Sequence, residues 1–576
     1  METYQVTVYH SKETNSCTLN NIYIKLRGEK GTSEQNWLSG NECYVGTVYL
    51  LLTCIVQIIC KCCLDPFLKI SPEDNWFPKK IEVKAPNGKI YIFPMYTWIT
   101  DFQIHCFREG QGLSLTVNED CTPLGKKKRS EELEQRKEAY RWKESERGLP
   151  DHVEARDPSQ LPLDAQFTLR KYLGFGGVAV LDYIWTWFET FSEHYVKNNW
   201  RDDDFFGYQF LNGLNPMLIK CIKALPDNFH VTDGMISQYC KGNLDDEIKK
   251  GNIFLCDYKL LDGVETQEIH KTKQYLAAPL VLLYKTPKDK LVPIAIQLQQ
   301  KPAADNPIFL PSDSQYDWLL AKIYVRSAEF NLHQLNFHLL RTHLLAEVFA
   351  VSLLRNLPMV HPLYKLLIPH TRYTLNVNVL ARNYLISPNG FAASGGDGMY
   401  QILKRSLSSL TYTSLCIHDD IKERGMENIP NFYYRDDGCR LWDILHSPYQ
   451  NFMTTFCSPQ YDFGGWMPNL PSTMQCPPPT EKGKATEETI MAALPNKYTT
   501  CKAIETLFLL TQQYSDFVKL GDYPEEHFTE EKPRELIKKF QEDLRKLSEK
   551  IKERNKILPV PYEYLDPENV PNSVTI

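Results

Sequence analysis

The sequence predicts two parts, an all-β N-terminal domain and a large, mainly α-helical domain that follows it. In the first hundred residues, short β-branched and aromatic runs such as YQVTVYH, NNIYIKLRG and KIYIFPMY alternate with turn signals such as Pro86, Asn87 and Gly88. Short strands in this regular order are typical of a sandwich or a barrel. Farther along, the apolar spacing becomes helical. Residues 330–356 are apolar nearly all round, as expected of a helix within a core.

The first strand begins at once. Tyr4, Val6 and Val8 occupy alternate positions and so lie on one face of the strand. The N-terminal residues contain no basic segment followed by an apolar run, so we predict no secretory signal. At the other end, residues 532–556 form an amphipathic pattern that predicts a packed surface helix, with one apolar stripe made by Leu536, Phe540, Leu544, Leu547 and Ile551. The mixed-charge run 124–147 predicts a solvated helix or a linker between the domains.

Residues 44–60, YVGTVYLLLTCIVQIIC, form an almost continuous apolar run within the strand-like region. We expect a buried pair of strands or a hairpin that touches a membrane, since strand-like segments flank the run on both sides. A transmembrane helix, which needs roughly 17–25 residues, and a segment foreign to the fold are the alternatives. The nearby Cys60, Cys62 and Cys63 lack a second pair of ligands at zinc-finger spacing, so we predict no zinc site.

Charge and cysteine content limit the functional classes. The 65 basic and 71 acidic residues give a net charge of −6, so no overall basic field attracts nucleic acid and we expect no nucleic-acid partner. The 16 cysteines follow no disulfide framework, and we interpret them as reduced thiols of a cytoplasmic protein. With 43% hydrophobic and 12% aromatic residues, the chain has enough apolar side chains for a large core and an apolar cavity.

Three histidines recur at a spacing of five on the long buried helix, namely His333, His338 and His343. Neutral imidazole is the commonest metal ligand, and a buried imidazole needs a partner. On an ideal α-helix five residues turn about 140° past one full revolution, so His338 and His343 would point apart. A π-bulge would bring both to one face, and such bulges favour functional sites. The spacing is therefore either a coincidence or a metal pair on a distorted helix.

Other motifs that mark chemistry are missing from the sequence. It has no HExxH, no facial-triad spacing that adds a carboxylate, no Rossmann or Walker A glycine pattern and no nucleophile elbow. The glycine-rich residues 394–398 lack a following lysine, so we predict no phosphate site there.

The helix HQLNFHLLRTHLLAE and the segment VHPLYKLLIPH resemble the two signature segments of lipoxygenases. The segments WRDDDFFGYQFLNGLNP, DWLLAKIYVR, WMPNLPSTMQCPPPT and the terminal NSVTI are similar to further parts of that family, so the resemblance covers nearly the whole chain. It is strongest to animal arachidonate lipoxygenases of the 15-type B, 12R and epidermal kinds. It implies a PLAT-like β-barrel over residues 1–113 and a lipoxygenase catalytic domain over residues 114–576.

The resemblance also implies the chemistry and the partners. Lipoxygenases hold one non-haem iron per chain and insert O2 into the cis,cis-1,4-pentadiene of a polyunsaturated fatty acid such as arachidonate, which gives a hydroperoxide. The reaction needs a dry apolar channel that holds one methylene beside the metal. The resemblance further implies a cytoplasmic protein that associates peripherally with a membrane surface through its barrel.

The iron ligands that the resemblance implies are His338, His343 and the terminal carboxylate of Ile576. That carboxylate would supply the oxygen donor that no motif provides, and it would bury the end of the chain in the core. Gln334 and Gln460 match positions that form hydrogen bonds around the ligands.

On the substrate side, Phe330 matches an aromatic residue that shapes the channel. His333 matches a position near the iron that is not a principal ligand, and we interpret it as a core histidine with a hydrogen bond. The arginine that binds the substrate carboxylate in the family has no clear counterpart, because NVLARN has Leu380 at one arginine position and Arg382 at the next.

The chain departs from the family pattern between about residues 443 and 460. Lipoxygenases carry a second iron-binding helix there, with a histidine and, four residues later, a histidine or an asparagine. FMTTFCS resembles the start of that helix and QYDFGGW resembles the segment after its end, but the ligand-bearing stretch between them is absent, which predicts an internal deletion. His446 is the nearest histidine, and Pro448 beside it predicts a helix stop. The segment SKETNSCTLN also lacks the glycines of a calcium loop, so we assign no calcium site.

Three functions follow as alternatives from this pattern. The first is a fatty-acid dioxygenase that works with two histidines and one carboxylate, a ligand set that holds iron in other oxygenases. The second is a non-catalytic variant that binds lipid or a membrane surface. The third is hydroperoxide isomerase chemistry, which epidermal-type relatives carry out with the same iron.

Overall fold

The computed structural model describes residues 4–10, 21–28, 31–38, 47–48, 55–61, 75–101, 104–110, 123–145, 147–173, 191–240, 242–269, 271–384, 386, 395–445, 471–497, 499–500 and 516–575. Within these residues an N-terminal β-domain precedes a larger, mainly helical domain, which confirms the predicted fold class.

Two antiparallel sheets make up the β-domain. Its strands are β1 Tyr4–His10, β2 Asn21–Gly28, β3 Gly31–Thr32, β4 Asn36–Leu38, β5 Thr47–Val48, β6 Ile55–Lys61, β7 Pro78–Lys84, β8 Ile90–Pro94 and β9 Ile104–Arg108. One sheet has the order β5-β1-β7-β8, and the other has the order β3-β2-β6-β9 with β4 paired to β2. Because side chains alternate along a strand, Tyr4, Val6 and Val8 are all buried in one core with Trp76 and Phe93. The alternating pattern at the start of the chain thus predicted the inner face correctly.

The apolar run 44–60 contributes two strands to this domain. β5 pairs with β1, while β6 lies between β2 and β9 in the second sheet. The described part of the run is therefore strand, as predicted, although its two strands belong to different sheets, and the transmembrane-helix alternative is wrong. Cys62 and Cys63 lie outside the described residues.

The second domain is built mainly from helices. Its described helices are Pro123–Ala139, Phe191–Asn199, Asp203–Asn212, Asp233–Ile236, Leu244–Lys249, Gln315–Leu332, the π-helix His333–Leu344, Leu345–Asn356, Pro362–Leu367, Thr374–Tyr384, Gly395–Ser408, Ile417–Glu423, Tyr433–Leu445, Glu487–Ala493 and Glu531–Asn555. The charged run thus begins with a helix, and the amphipathic pattern at the end of the sequence forms the terminal helix Glu531–Asn555. The stripe predicted on the terminal helix faces the core, with Leu536 half-buried and the others buried: Phe540, Leu544, Leu547 and Ile551.

The helical domain also contains a five-stranded antiparallel sheet that sequence analysis missed, in the order β12-β13-β16-β17-β18. The remaining strands of the domain form two short ladders, β10-β11 and β14-β15. The strand bounds are β10 Trp142–Lys143, β11 His152–Val153, β12 Lys220–Cys221, β13 Ile253–Asp257, β14 Glu268–Ile269, β15 Thr272–Lys273, β16 Leu280–Lys285, β17 Leu291–Gln297 and β18 Ile308–Phe309. Runs such as LVLLYK in β16 are buried on both faces, and short apolar runs of this kind cannot be told from buried helix by periodicity alone.

The two domains meet at a polar and aromatic contact. The ring of Tyr96 in the β-domain lies 4.8 Å from the ring of His527. The buried ammonium group of Lys365 donates to the carbonyl oxygen of Gly110 and, at 3.0 Å, to Glu530. The predicted domain boundary at residue 113 lies outside the described residues and stays a prediction.

Candidate metal centre

One continuous helix, Gln315–Asn356, carries the three histidines, and we call it the histidine helix. It begins after Ser314, whose hydroxyl accepts a hydrogen bond from the backbone N–H of Asp317. By length and composition this helix is apolar enough to cross a membrane, but 61% of its most apolar window is buried inside the protein. It is therefore a core helix, as the apolar pattern predicts.

The middle of the histidine helix is a π-helix, His333–Leu344. A π-helix adds a residue to each turn, which places positions five apart on one face. The Nε2 atoms of His338 and His343 consequently face each other at 3.0 Å, and their ring centres lie 4.8 Å apart. The π-helix is the distortion that a metal pair at this spacing requires, while the metal pair itself stays a prediction.

Each of the two imidazoles contacts an amide oxygen through its outer nitrogen. The Nδ1 atom of His343 lies 2.9 Å from Oδ1 of Asn378, and the Nδ1 atom of His338 lies 3.3 Å from Oε1 of Gln334. The amide nitrogen of Asn378 donates at 2.8 Å to the carbonyl oxygen of His343 and at 2.8 Å to Glu347. These two donations fix which end of the Asn378 amide faces His343.

This hydrogen bonding determines where the lone pairs of the imidazoles lie. Because the oxygen of Asn378 only accepts, His343 carries its proton on Nδ1 and a lone pair on Nε2. With the Gln334 oxygen toward Nδ1 of His338, the Nε2 atom of that ring also carries a lone pair. Two lone pairs that face each other repel unless a cation lies between them. Burial and the nearby His343 and His333 also hold the pKa of His338 well below its ordinary value, so that ring stays neutral.

The spacing of the two nitrogens fits a metal ion. Two nitrogens that each lie about 2.1 Å from a metal at about a right angle are about 3.0 Å apart. Among the described residues, no group of three or more His, Cys, Asp or Glu side chains is arranged to hold a metal. A third protein donor is therefore not among those side chains.

The C-terminal segment leads toward this pair. The backbone N–H of Asn572 donates to Val518 at 2.9 Å, and its carbonyl oxygen accepts from Nδ1 of His370 at 2.5 Å. Thr374 donates to the carbonyl oxygen of Val574 at 3.2 Å. Thr374 lies one helical turn before Asn378, the residue that contacts His343. Val574 therefore contacts the same helix one turn away from Asn378.

Ile576 itself lies outside the described residues, and its role as a ligand stays a prediction. It follows Val574 by two residues, which span at most about 7 Å. Gln460 and His446 also lie outside the described residues, as does most of the predicted deletion between about 443 and 460.

His333 and Phe330 are the other predicted site residues that the structure describes. His333 is buried, and its Nδ1 atom lies 3.0 Å from Oδ1 of Asn215, which fits a core histidine with a hydrogen bond. Burial lowers the pKa of His333 to about 3. Phe330 is fully buried in a cluster with Leu214 and Tyr562. These contacts fix the positions of both side chains at the N-terminal end of the π-helix.

Sequence analysis missed the residues that hold the pair in place. Asn378 and Thr374 lie on the helix Thr374–Tyr384, and Glu347 lies one turn beyond His343 on the histidine helix. The only sequence signal for them is the polar residues within apolar helical patterns, Asn378 in NVNVLARN and Glu347 in HLLAE.

Comparisons with known proteins identify the family of this chain. The lipoxygenase family model matches residues 192–459 and 455–559, and the PLAT/LH2 domain model matches residues 4–109. The chain belongs to the lipoxygenase family. Lipoxygenases are oxidoreductases of the dioxygenase type, and the family is one that uses non-haem iron. The predicted family and enzyme class are thereby confirmed.

Three curated lipoxygenase relatives illustrate the range of named activities. Hydroperoxide isomerase ALOXE3 of Homo sapiens is 33% identical over 100% of both chains, and arachidonate 12-lipoxygenase, 12R-type, of Rattus norvegicus is 34% identical over 100% of both. Polyunsaturated fatty acid lipoxygenase ALOX15B of Homo sapiens is 37% identical over 89% of each chain. The alignment with the human isomerase runs over 718 positions although this chain has 576 residues, so more than a hundred positions have no counterpart here.

Solved lipoxygenase structures share the whole fold. A calcium-dependent 11R-lipoxygenase matches with a TM-score of 0.90 and 29% identity, and a coral 8R-lipoxygenase matches with 0.90 and 28%. A lipoxygenase crystallised in complex with arachidonate matches with 0.89 and 28%. Each comparison covers 100% of both chains.

Proposed function

We propose that this lipoxygenase inserts O2 into the cis,cis-1,4-pentadiene of an arachidonate-like fatty acid at a single non-haem iron. The observation that carries the proposal is the pair of facing imidazole nitrogens, 3.0 Å apart on the buried π-helix. His338 and His343 would hold the iron, with the terminal carboxylate of Ile576 as the third protein donor. When bound, ferric iron supplies the oxidant that takes a hydrogen atom from the bis-allylic carbon.

The protein's own residues keep the two donors neutral and oriented. Asn378 and Gln334 accept the Nδ1 protons, which directs both Nε2 lone pairs inward. The π-helix that carries the pair also carries buried apolar side chains of the core: Leu335, Phe337, Leu339, Leu340 and Leu344. An apolar surrounding of this kind excludes water and suits a pentadiene radical, which water and side reactions would otherwise reach.

We further propose that the chain lacks the second iron-binding helix of its family. In support, the family model matches in two pieces that meet at residues 455–459, and the long alignment with the human isomerase leaves many positions without a counterpart. The ligand set is then two histidines and one carboxylate, which is sufficient for iron in other oxygenases.

The first test is iron per chain in protein with a native C-terminus, followed by oxygen uptake and conjugated-diene formation with arachidonate. We expect about one iron per chain and hydroperoxide formation, and His343→Gln should lose both. Folded protein with iron near zero would contradict the iron site and leave the non-catalytic lipid-binding alternative.

The second candidate is a hydroperoxide isomerase, favoured by the relatives that carry that name. It is distinguished by supplying a fatty-acid hydroperoxide without O2. An isomerase consumes the hydroperoxide and makes epoxyalcohol, whereas a dioxygenase consumes O2 together with the free acid.

We also propose a cytoplasmic protein that binds membranes peripherally through its β-domain. PLAT domains are lipid- and membrane-binding modules, and Ile90 and Ile104 of this domain are about half exposed, at 50% and 55%. Sedimentation with phosphatidylcholine vesicles tests the proposal. Replacing both isoleucines by serine should lower the bound fraction without changing iron content, and unchanged binding would argue against this surface.

A further inference from the structure

A buried polar chain extends outward from His343, away from its partner His338. Asn378 contacts the imidazole, Glu347 contacts Asn378, and Arg382 contacts Glu347. Asn378 and Glu347 are almost fully buried, at 1% and 0% exposure. A buried carboxylate and amide at this position need a physical reason, because an apolar pair would cost less desolvation.

Every hydrogen-bonding site of Glu347 is used. Its Oε2 atom accepts from Asn378 at 2.8 Å and from Arg382 at 2.6 Å. Its Oε1 atom accepts from Arg382 at 3.0 Å and from the backbone N–H of Val153 at 3.1 Å. All four hydrogen bonds come from N–H donors of three residues, so this environment requires an ionised carboxylate that accepts on both oxygens.

The ionised carboxylate determines the orientation of Asn378. An acceptor at Glu347 Oε2 forces the amide nitrogen of Asn378 to that side, and the carbonyl oxygen of His343 uses the second amide proton. Only the oxygen of Asn378 is left to face Nδ1 of His343. The proton of the ring is thereby held on Nδ1.

We infer that Glu347, acting through Asn378, is a positioning residue that locks His343 in its Nδ1–H tautomer, with Arg382 as the ion-pair partner of Glu347. The inference rests on the proposed iron site, for which this tautomer keeps the Nε2 lone pair of His343 available. Arg382 stands at one of the two sequence positions considered for the family's substrate-binding arginine. Here it pairs with Glu347 and not with a substrate.

Gln334 provides a contrast on the other imidazole. Within the described residues its amide nitrogen has no hydrogen-bond partner although it is buried, so the amide can rotate and present either end to His338. His338 can therefore change tautomer when metal enters or leaves, whereas His343 cannot. The pair has one locked member and one adjustable member.

The variant Glu347→Gln tests the lock. A glutamine has only one oxygen, so its NH2 group turns two of the four donor contacts into donor–donor clashes. On the Oε2 side, rotation of Asn378 relieves the clash with Asn378 at the cost of its hydrogen bond to the carbonyl oxygen of His343, and it brings the Asn378 NH2 group against Nδ1 of His343. The ring proton then moves to Nε2, where Nε2 of His338 can accept it.

A double variant reverses the effect. In Glu347→Gln with Asn378→Asp, the glutamine NH2 group donates to one oxygen of the aspartate, and the other oxygen accepts from Nδ1 of His343. The acceptor beside Nδ1 of His343 is thereby restored, although the aspartate cannot donate to the carbonyl oxygen of His343 as the Asn378 amide does, so we expect recovery of the tautomer together with a lower stability. Arg382→Lys is the matched control, because it weakens the same ion pair while Glu347 stays ionised.

The tautomer is read in metal-free, full-length protein labelled with ¹⁵N-histidine, by long-range ¹H–¹⁵N correlation, with His343→Gln used for assignment. We expect the Nδ1–H form in the wild type, in Arg382→Lys and in the double variant, and the Nε2–H form in Glu347→Gln. If Glu347→Gln does not fold, Asn378→Leu takes its place, since it removes the Nδ1 acceptor and should give the same Nε2–H form. An Nδ1–H form in the variant that folds overturns the inference, whether or not the protein binds metal.

Co²⁺ titration, followed by d–d absorption, supplies the second readout. Glu347→Gln should weaken Co²⁺ binding by about 10–100-fold, with recovery in the double variant. Wild-type protein that binds no Co²⁺ contradicts the proposed iron site, while the tautomer measurement still decides the lock. Equal Co²⁺ affinity in the wild type and Glu347→Gln contradicts the link between the lock and the metal.

Discussion

Nε2 of His338 lies 3.0 Å from Nε2 of His343, on a helix segment where ordinary α-helical geometry would turn the two rings apart. The close approach depends on the π-helix between them. With amide oxygens on both outer nitrogens, the two Nε2 lone pairs face each other, and a cation between them is favoured. In the metal-free protein the Gln334 amide can rotate, and the Nε2–H group of His338 then donates to Nε2 of His343 at the same spacing.

Replacing either histidine of the pair by glutamine should remove iron without unfolding the chain. A single remaining imidazole and one carboxylate provide too few donors for a stable site, so we expect iron to fall from about one per chain to a trace. Metal analysis of His338→Gln and His343→Gln checks this. His418→Gln is the control, because His418 is exposed and pairs with Asp443 at 2.9 Å. Normal iron in either variant of the pair would contradict the assignment.

Extending the chain beyond Ile576 should have the same consequence. The segment before it is held by His370 and Thr374 within the core, and a peptide bond to an added residue would replace the carboxylate of Ile576 by an amide. We expect iron to be lost in a variant with one glycine added at the C-terminus. The same glycine inserted after Met1 is the control and should leave the iron content unchanged. Full iron in the C-terminal variant would mean that the chain end is not a ligand.

The sequence predicted those parts of the fold and site that depend on local pattern. The spacing of His338 and His343 indicated either chance or a distorted helix, and the apolar stripe of Phe540 and Leu544 indicated the buried face of the terminal helix. Asn378 was not predictable, because its contact with His343 spans 35 residues and arises only when two helices pack. A polar residue within an apolar helix has many other uses, and only the packed structure shows which one applies.

The same limit explains the missed sheet. In β16 and β17 the buried strands lack the alternation of a half-exposed strand, and their length does not separate them from pieces of core helix. In β1 one face is buried and the other is exposed, so its alternation was readable from the sequence.

Gly521→Ala should destabilise the domain by about 1–3 kcal/mol. Gly521 has a φ of +89°, and an added Cβ would lie 2.6 Å from Leu544 of the terminal helix. Gly521 directly follows residues 518–520, which form backbone hydrogen bonds with Val570 and Asn572 of the C-terminal segment. The substitution therefore strains the backbone beside that segment. Urea unfolding measures the loss. Gly483→Ala is the matched control, because Gly483 has a φ of +75° but no atom within 4 Å of its added Cβ. Equal losses in both variants would mean that backbone strain alone, and not the contact with Leu544, sets the cost.

Acid should weaken the fold through His370. Burial lowers the pKa of His370 from 6.5 to about 4, because the ring lies in the core with Nδ1 on the carbonyl oxygen of Asn572. The unfolded chain therefore binds a proton at a higher pH than the folded chain does. The stability that the neutral ring contributes is complete above about pH 6.5 and is lost as the pH falls toward 4.

Between pH 7 and pH 5 this single group should reduce the free energy of unfolding by about 2 kcal/mol. His370→Gln keeps an amide donor for the carbonyl oxygen of Asn572 and does not titrate. The free energy of unfolding of this variant should therefore fall by about 2 kcal/mol less than that of the wild type between pH 7 and pH 5. Urea unfolding of both proteins at the two pH values checks the difference, which cancels the other titrating groups that the two proteins share. The same pH dependence in both proteins would mean that His370 takes up a proton in the folded chain as readily as in the unfolded chain. That result would contradict the buried hydrogen bond from His370 to Asn572, which holds the segment before the chain end.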